Sequence, residues 1–382
     1  MSSSKTKADS GRNHRGSGKV LGRRALNRAL LVRQMLLERV TLPVLHAIEQ
    51  LVGMQGQMTN PPYIGLWSRL QGFEADDLSR LILERAVVRI ALMRSTIHLV
   101  TARDCLALRP VMQPALVRSF GGNWGKRLPG IDFAEVAAAG RAAAEETPRT
   151  FDEIGRVLAE RWPDRDPAAL GYAVRAYVPL VQVPPRGVWG RGGAARHTTA
   201  EAWLGRPMSE DASPDAAVMR YLAAFGPASI ADAQTWSGLT GLRACFDRLR
   251  PRLRTFRDEH GRELFDLPHA PLPDPDFPAP PRFLGDYDNV YLSHAERSRI
   301  VADEHRKRLF AVNRVLPCFL IDGFVAGAWE IRREGGAATL HVHPFLPLAP
   351  PDRRAVEEEG ARLLAFVAAD ADARDVLIAK PA

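Results

Sequence analysis

The alternation of apolar and polar residues is clearest between positions 214 and 267. The run "PDAAVMRYLAAFGP" predicts an amphipathic helix that ends at Gly226-Pro227, and "ASIADAQTWSGL" predicts a short helix capped by Ser229. A third helix is predicted by "GLRACFDRLRPRL", and two strands around a tight turn are predicted by "LRTFRDEHGRELFDL". Three helices and a hairpin within about sixty residues are the pattern of a winged helix, a common DNA-binding module.

Two regions further upstream show a similar order of elements. In the nearer one, "TPRTFDEIGRVLAERW" predicts a helix capped by Thr150, and a second helix and an extended run lead into a loop at 184–198 in the position of a wing. The N-terminal region predicts four helices, one with Pro43 in its first turn, followed by the strands "VVRIALM" and "STIHLVT". We therefore predict a mainly α fold with small β-wings, built from three tandem winged-helix units.

The remaining segments complete the predicted domain order. A proline-rich run, "HAPLPDPDFPAPPRFL", is typical of a linker. The C-terminal region predicts a three-strand antiparallel meander, with turns at Asp322-Gly323 and Gly335-Gly336, and a terminal helix that covers one face. The predicted boundaries are 1–24 (flexible basic tail), 25–147 (first winged-helix unit with the glutamine motif described below and connecting helices), 148–211 (second unit), 212–268 (third unit), 269–284 (linker) and 285–382 (C-terminal meander and helix).

Composition narrows the function classes. Of 382 residues, 46% are hydrophobic and 25% are charged, which is ordinary for a globular protein of the cytoplasm. The net charge of +8 and the pI near 9.7 indicate an acidic partner such as nucleic acid, although basic enzymes are also common. The three cysteines, Cys105, Cys245 and Cys318, are too far apart for a zinc site and favour a reducing compartment. We expect neither a membrane span, which needs ~20 apolar residues, nor a secretory signal.

Two groups of residues are candidates for binding. His341 and His343 alternate on a predicted strand and so lie on one face, but no cysteine or carboxylate is spaced to complete a metal site with them. We expect them on a surface or DNA-facing strand, and we expect no metal and no cofactor. The predicted wing at 184–198 carries Arg186, Arg191, Arg196 and His197 around Trp189, without an acid. Such a loop either follows DNA phosphates or is simply solvated.

A pair of glutamines, Gln55 and Gln57, lies within "VGMQGQMTNPPY", between a predicted helix and a proline pair that no helix interior tolerates. Composition alone favours surface residues without a role. Their neighbours, however, are strongly apolar, and buried amides need hydrogen-bond partners. The two side chains are therefore either satisfied inside the protein or reserved for a ligand. We expect the prolines to end the preceding helix and leave the glutamines on a turn.

Five ordered segments resemble the winged-helix DNA glycosylases of the AlkZ and YcaQ type. They are "LVGMQGQMTNPPYIGLWSRL", "LMRSTIHLVTARDCLALRP", "PPRGVWG", "YDNVYLSHAERSRI" and "IDGFVAGAWEI", and the similarity covers nearly the whole chain after the basic tail. The resemblance implies a C-shaped body of tandem winged helices that removes alkylated purines from DNA. Well-known AlkZ-type members unhook interstrand crosslinks made by the host's own antibiotic. The resemblance also implies that the two glutamines lie at the catalytic centre. The other branch has an aspartate at the second position, so Gln57 places this chain on the AlkZ side.

The resemblance further implies a β-hairpin near the lesion, which by position is either the 184–198 loop or the hairpin at 328–343. Double-stranded DNA carrying alkylated purines is then the expected partner, and a monomer is the expected state. The residues expected to contact DNA are Asn60, Arg94, His98, Arg186, Trp189, Arg191, Arg196, His341 and His343.

The chemistry of an amide leads to a mechanistic hypothesis. Hydrolysis of an N-glycosidic bond passes through an oxocarbenium-like sugar, and a glutamine can orient water and offer a dipole but is no general base. The substrate must therefore be primed to leave, as a cationic N7-alkylated purine is. In this hypothesis Gln57 positions the water and faces the developing cation, and Gln55 assists it. No lysine lies near the motif in sequence, which predicts a monofunctional enzyme. The competing interpretations are a non-enzymatic winged-helix regulator and a family member that has lost activity.

Overall fold

The computed structural model of the protein describes residues 19–311 and 314–381. Most of the predicted basic tail therefore lies outside the described residues, and its last residues are ordered, because Val20–Leu21 is a strand and a helix starts at Arg23. None of the helices in the described ranges combines the length and the apolar character that a membrane crossing requires.

The first half of the described chain contains the following elements. The helices are α1 (Arg23–Arg33), α2 (Val44–Gln50), α3 (Pro61–Trp67), α4 (Ala75–Leu83), α5 (Ala102–Asn123), α6 (Phe133–Glu146), α7 (Phe151–Arg161), α8 (Pro167–Tyr177) and α9 (Ala200–Leu204). The strands are β1 (Val20–Leu21), β2 (Met54–Gln55), β3 (Val87–Ala91), β4 (Ile97–Thr101), β5 (Leu180–Gln182) and β6 (His197–Thr199).

The second half continues the same numbering. The helices are α10 (Asp215–Phe225), α11 (Ile230–Ser237), α12 (Arg243–Leu249), α13 (Asn289–Leu292), α14 (Asp303–Leu309) and α15 (Pro350–Val367). The strands are β7 (Arg254–Asp258), β8 (Glu263–Asp266), β9 (Arg282–Leu284), β10 (Phe310–Ala311), β11 (Arg314–Val315), β12 (Cys318–Ile321), β13 (Phe324–Glu334), β14 (Ala337–Pro344) and β15 (Ala373–Ile378).

A five-stranded antiparallel sheet, here called the central sheet, joins the first two predicted units. Its order is β2-β4-β3-β5-β6, so the β3–β4 hairpin of the first region and the β5–β6 pair of the second are neighbours. Partners across adjacent strands point to the same face. Gln55 is paired with His98 on one face, whereas Arg89 is paired with Gln182 on the other. The sheet thus brings together residues that are more than 120 positions apart in the chain.

The three helices and the hairpin predicted at 214–267 are all present, as α10, α11, α12 and β7–β8. Ser229 caps α11 as predicted, because its side chain accepts a hydrogen bond from the Asp232 backbone at 3.2 Å. The strand β1 extends this hairpin by pairing in parallel with β7. The arrangement agrees element by element with the sequence pattern, and its assignment as a winged-helix unit stays a prediction.

The C-terminal region differs from its prediction in two strands. The predicted meander is present as β12–β14, but β9 and β15 extend it to a five-stranded mixed sheet, here called the C-terminal sheet, in which β15 runs parallel to β14. The end of the predicted linker is therefore a strand rather than an extended connection. Helix α15 covers one face as expected, and its buried Val356, Leu363 and Leu364 join the core of this sheet.

A continuous apolar core ties the central sheet to the third predicted unit. Ile90 of β3, Met112 of α5 and Phe225 of α10 are all fully buried in it. Strands buried on a shared core are held rigidly, because interiors pack as densely as organic crystals. The edge strand β2 with its glutamine motif is therefore attached to a firm support.

Candidate active site

The backbone around the glutamines turns sharply before it enters the central sheet. Helix α2 ends at Gln50, and Val52 and Gly53 then adopt left-handed conformations with φ of 54° and 84°. A Cβ at Gly53 would lie 2.5 Å from a methyl carbon of Val100, so only glycine lets the chain approach β4 this closely. The proline pair has a different role from the predicted one. Pro61 and Pro62 begin α3, where a missing N–H is harmless, and they do not end α2.

The two glutamines lie in different environments, although we expected both on a turn. Gln55 is in β2 and is only 6% exposed, whereas Gln57 follows the strand and is exposed. Between them, the Gly56 N–H donates to the Ile97 carbonyl at 2.8 Å. The motif Gln55-Gly56-Gln57, here called the glutamine motif, is thus half strand and half exposed loop.

Arg94 holds the side chain of Gln55. Its Nη2 donates to Gln55 Oε1 at 2.8 Å, and its Nη1 donates to the carbonyl of Trp236 at the end of α11, at 2.5 Å. Burial lowers the pKa of Arg94 to about 10, so the side chain is still charged at neutral pH. In this structure Arg94 connects the glutamine motif to the third predicted unit, and its predicted contact with DNA stays a prediction.

The carbonyl of Gln57 is fixed by the neighbouring strand. Gln57 Oε1 accepts a hydrogen bond from the backbone N–H of Ile97 at 3.3 Å. An amide oxygen has two acceptor lone pairs, so this bond leaves one free for a water molecule or for a positive partner. The exposed amide is therefore oriented by β4 while its end remains open to a ligand.

Arg89 supports the glutamine motif from below. It is 2% exposed, and its guanidinium donates to the Gly56 carbonyl at 2.5 Å and to Gln182 Oε1 at 3.0 Å. Gly187, with φ of 94°, passes directly over it, and a Cβ there would lie 2.6 Å from Arg89 Cδ. Burial, and to a smaller extent the charge of Arg186, lowers the pKa of Arg89 to about 10.

Gln57 opens into a cleft of about 380 Å³, here called the basic cleft. Arg175 of α8 donates to the backbone carbonyl of Ser95 at 2.6 Å and to its hydroxyl at 3.1 Å. An aromatic wall includes Trp124 and Tyr172, whose rings stack with centroids 4.2 Å apart. The residues that line the basic cleft are Gln57, Ser95, Ile97, Leu116, Ser119, Phe120, Asn123, Trp124, Phe151, Tyr172, Arg175, Ala176, Gln182, Arg186 and Ala195.

A second, larger cleft of about 730 Å³ lies between the segment that follows the glutamine motif and the C-terminal sheet, and is here called the outer cleft. Met58 and Asn60, which follow Gln57, line it together with Trp329, Glu330 and His343. The outer cleft thus contains the carboxylates of Asp286 and Glu330 together with Arg308, whereas the basic cleft is lined by arginines without a carboxylate.

Several predicted DNA-binding residues belong to the protein interior. His98 is 1% exposed, its Nδ1 lies 3.0 Å from the Thr96 carbonyl, and burial, followed by the charge of Arg94, lowers its pKa to about 3. His98 is therefore a neutral core residue, not the predicted DNA contact. Trp189 packs against Tyr63 and Phe366, with ring centroids at 4.9 and 5.5 Å. Trp189 is half-buried by this packing, and its predicted contact with DNA stays a prediction.

The arginines of the β5–β6 loop differ from one another. Arg186 lines the basic cleft, and Arg191 is exposed. Arg196 is also exposed, but it makes a two-fold ion pair with Glu153 at 2.8 and 2.9 Å. The charge of Arg196 is thus already balanced by a carboxylate of the same chain. The sequence did not reveal this pair because the partner is 43 residues away. His197, at the end of the predicted wing, is the first residue of β6 and is buried.

The histidines of β14 lie as the strand pattern predicted. The rings of His341 and His343 are on one face, nearly parallel, with centroids 6.4 Å apart. His343 Nε2 lies 3.8 Å from a Glu330 carboxylate oxygen in the outer cleft. Within the described part of the chain, no group of three or more histidine, cysteine or acidic residues is arranged to hold a metal ion.

The structure also separates the two candidate hairpins. The β5–β6 loop contributes Arg186 and Ala195 to the basic cleft, where Gln57 lies. The hairpin at 328–343 contributes Glu330 and His343 to the outer cleft instead. Both lie near the segment that carries the glutamine motif, but only the first shares a cleft with the Gln57 side chain.

Sequence reasoning missed Arg89, Arg175 and Gln182. One signal was available, because Arg89 interrupts the apolar strand "VVRIALM", and a charged residue on a buried strand needs an internal partner. The other two are on α8 and β5, and nothing in their local sequence connects them with the glutamines.

Comparisons with known proteins identify the family of the chain. The sequence model of the family described as DNA glycosylase AlkZ-like matches residues 48–366, well over half of the chain. A curated relative, the interstrand DNA cross-link repair glycosylase of Streptomyces sahachiroi, is 26% identical over 360 residues, which cover 87% of this chain and 92% of that protein. The solved structure of the S. sahachiroi DNA glycosylase AlkZ has the same fold, with a TM-score of 0.72, 20% identity, and coverage of 94% of this chain and 100% of the other. The family match spans both the glutamine motif and the basic cleft, and the chain belongs to the AlkZ-like DNA glycosylase family.

Proposed function

We propose that this enzyme is a monofunctional DNA glycosylase that hydrolyses the N-glycosidic bond of cationic N7-alkylated purines in double-stranded DNA. The observation that carries the proposal is the contrast within the glutamine motif. Gln57 is exposed at the basic cleft with its carbonyl oriented by Ile97, whereas Gln55 is buried and held by Arg94. One amide is placed to meet the substrate and the other to support the strand beneath it.

In the proposed reaction Gln57 positions a water molecule and directs the dipole of its carbonyl at the oxocarbenium-like sugar. A dipole that the fold has already oriented needs no reorganisation in the transition state. Gln55 assists by holding β2 in place through its bond from Arg94. These roles are consistent with the fixed position of Gln57 Oε1 and with the burial of Gln55.

The basic cleft also supports the restriction to labile substrates. None of its lining residues is aspartate or glutamate, so no side chain there can act as a general base near neutral pH. General-base catalysis contributes typically ~10²–10⁴-fold, and a neutral leaving group would need it. A purine that carries a positive charge departs without protonation, and this is the substrate class that two amides can serve.

Cleavage of the DNA strand is not part of the proposed activity. Strand-cleaving glycosylases form a Schiff base with an amine, and no lysine lines either the basic cleft or the outer cleft. The product is then an abasic site in an intact strand. The relative from S. sahachiroi is named for interstrand cross-link repair. We extend the proposal to such bulky lesions, as repair or as self-resistance, because the outer cleft of about 730 Å³ lies beside the glutamine motif.

Further DNA contacts are proposed for exposed or half-buried residues near the two clefts. Arg191 is on the β5–β6 loop, and Asn60, His341 and His343 are on the side of the outer cleft. Arginines and amides of this kind contact phosphate and sugar groups and position a duplex without reading its sequence.

The decisive experiment is base release from duplex DNA that contains N7-methylguanine. The wild-type enzyme is expected to release the free base in any sequence context and leave an intact abasic strand. Gln57→Ala should abolish release while DNA binding persists, and Gln71→Ala, which changes an exposed glutamine outside the basic cleft, is the matched control. Tight binding of one DNA sequence without base release would identify a regulator instead, and strand cleavage or comparable release of uracil would contradict the mechanism.

A further inference from the structure

The basic cleft has an unusual charge. Arg175 and Arg186 line it, and no acidic residue does. Within the described ranges, neither arginine forms an ion pair with a carboxylate. Arg89, which lies directly beneath, also has only carbonyl and amide partners among the described residues. Positive charge therefore accumulates on one side of the glutamine motif without an internal counter-charge.

The accumulated positive charge lowers the pKa values of neighbouring groups. Burial and the charge of Arg186 lower the pKa of Arg89, and burial with the charges of Arg175 and Arg186 lowers the pKa of His197 to about 4. Partly buried charges are normally paired, since desolvation penalises a cation that has no partner. An arrangement that keeps several arginines together and unpaired is stable when an anion from outside completes it.

Arg186 still has hydrogen-bonding capacity. Its Nη1 donates to the Gly193 carbonyl at 3.1 Å, but its buried Nε has no hydrogen-bond partner among the residues that the structure describes. The planar guanidinium fork matches a phosphate better than any single carbonyl does, because two parallel N–H groups bind two phosphate oxygens. Ser119 and Asn123, which also line the cleft, add polar groups that suit a phosphate.

The chemistry next to this cleft requires a negative charge. The developing sugar in the proposed reaction is positive, and so is the alkylated base. Unpaired arginines nearby would repel both, and two glutamine dipoles cannot offset that repulsion. The same site with a bound anion would instead stabilise the transition state.

We propose that the basic cleft is a phosphate subsite, which takes one phosphodiester group of the lesion-bearing strand next to the alkylated nucleotide and so supplies the negative charge that the glutamines lack. This inference rests on the proposed glycosylase activity. The cleft volume of about 380 Å³ is near the lower end of the ~300–1,000 Å³ typical of ligand sites. It suits a nucleotide-sized group, and a bulky adduct would have to lie elsewhere, such as in the outer cleft.

The subsite is tested by removing one phosphate charge at a time. Duplexes with a single N7-methylguanine carry one neutral methylphosphonate linkage, which is moved along the lesion strand, and base release is measured in single turnovers. One linkage adjacent to the lesion should lower the wild-type rate about 10- to 100-fold, the range for one hydrogen bond to a charged group. Arg186→Gln should lower the rate on ordinary DNA by a similar factor and show no further loss at that linkage.

The matched control is Arg206→Gln, which removes an exposed arginine that does not line the basic cleft. It should keep the wild-type pattern at every linkage. If the rate loss caused by Arg186→Gln and the rate loss caused by each methylphosphonate multiply at every linkage, the two changes act independently. That result would overturn the subsite. Inhibition by free inorganic phosphate to the same extent in wild type and Arg186→Gln would also count against it.

DNA affinity is also measured for the same set of methylphosphonate duplexes, because binding does not require turnover. If the wild-type enzyme releases no base from ordinary N7-methylguanine DNA, the proposed function fails, but a coupling between Arg186 and one linkage in the affinity still supports the subsite. Absence of coupling in the affinity as well would overturn it.

Discussion

Two sets of arginines in this protein are buried in different ways. Those that attach the N-terminal helices to the second half of the chain each meet a carboxylate. Arg33 of α1 bonds both oxygens of Asp266 at 2.7 and 3.0 Å, and Arg69 after α3 bonds both oxygens of Asp288 at 2.8 Å. All four side chains are almost inaccessible to solvent. These ion pairs hold the N-terminal helices against the second half of the chain. Their charges are balanced within the protein, so none is left to bind a ligand.

The arginines around the glutamine motif meet only oxygens of amides, hydroxyls and backbone carbonyls. Arg89, Arg94 and Arg175 hold Gly56, Gln55 and Ser95 in this way, and none of the three has an ion pair with a described carboxylate. Carbonyl partners orient a guanidinium but do not cancel its charge. The first set of arginines therefore serves the fold alone, while the second both builds the motif and keeps a positive field for DNA.

The first consequence concerns stability, where the largest effect is expected. Asp288→Asn leaves Arg69 as a buried charge without a counter-ion, which should lower the free energy of unfolding by about 3–5 kcal/mol. Asp370→Asn is the matched control, because its pair with Arg333 is 2.8 Å long but its side chain is 75% exposed. Exposed pairs contribute about 0–1 kcal/mol. Thermal and urea unfolding would measure both, and equal losses would erase the distinction between buried and exposed pairs.

The second consequence is that an arginine of the motif affects catalysis more than folding. Arg89→Met removes the hydrogen bonds to Gly56 and Gln182 but leaves no buried carboxylate without a partner. The free energy of unfolding should therefore fall by about 1–3 kcal/mol. Because the backbone between the glutamines is no longer held, the base-release rate should fall about 100-fold, as for a lost preorganised contact. Unfolding and single-turnover release on the same preparation decide the point. A stability loss as large as that of Asp288→Asn, with the rate unchanged, would place Arg89 in the first set.

How far the sequence predicts this arrangement depends on the distance between partners. Helices and hairpins follow from local patterns, and the caps at Thr150 and Ser229 were found correctly because each capping hydroxyl and the backbone N–H that donates to it are three residues apart. The strands β9 and β15 were missed, because each pairs with a strand more than thirty residues away. Neither has a turn signal next to it that indicates a hairpin.

The site was predictable to a smaller extent. The resemblance identified the glutamines, but Arg94 and His98 were assigned to DNA because a sequence shows that a residue is basic and not which way it faces. Both follow the motif by about forty residues, and the sheet turns them inward against Gln55. Arg175 has no local signal at all, since its role depends on the packing of α8 against the turn at Ser95.

The third consequence distinguishes a positioning residue from a DNA contact. Arg94→Gln removes the bond to Gln55 Oε1, so the rate constant for base release should fall about 10-fold, the effect of one hydrogen bond from a charged group. DNA affinity should stay unchanged, because the guanidinium bonds only the protein. Arg118→Gln is the control, since Arg118 donates to Gly238 at the same end of α11 without touching the motif. A loss of affinity with an unchanged rate constant would restore the original assignment of Arg94 to DNA.

The smallest expected effect is that of pH on the chemical step. Burial lowers the pKa of His98 to about 3 and of His197 to about 4, so both stay neutral above pH ~5. Arg89 and Arg94, with pKa values of about 10, stay charged below pH ~9. These four side chains, on β3, β4, β6 and the turn before β4, therefore keep the same charge between these limits.

The stability of the fold should respond to acid in the same interval. The unfolded chain protonates its histidines near pH ~6.5, but the folded chain does not until the pH reaches their lowered pKa values, so stability falls as the pH drops below ~6.5. Burial raises the pKa of Asp322, but the hydrogen bond from Arg24 and the charges of Arg28 and Arg24 outweigh it, and the net pKa is lowered. The stability from this carboxylate is complete above its ordinary pKa of ~3.9 and is lost as the pH falls through the lowered value.

The rate of base release and the stability of the fold should therefore depend differently on pH. Single-turnover base release from N7-methylguanine DNA should be flat, within about twofold, from pH 5.5 to 8.5, because no carboxylate or histidine is among the described residues that line the basic cleft. Over the same acid range the melting temperature should decline. A step or a bell in the release rate near pH 6–7 would show that a titrating group takes part in the reaction. The chemistry could then no longer be assigned to two amides and an anion supplied by the DNA.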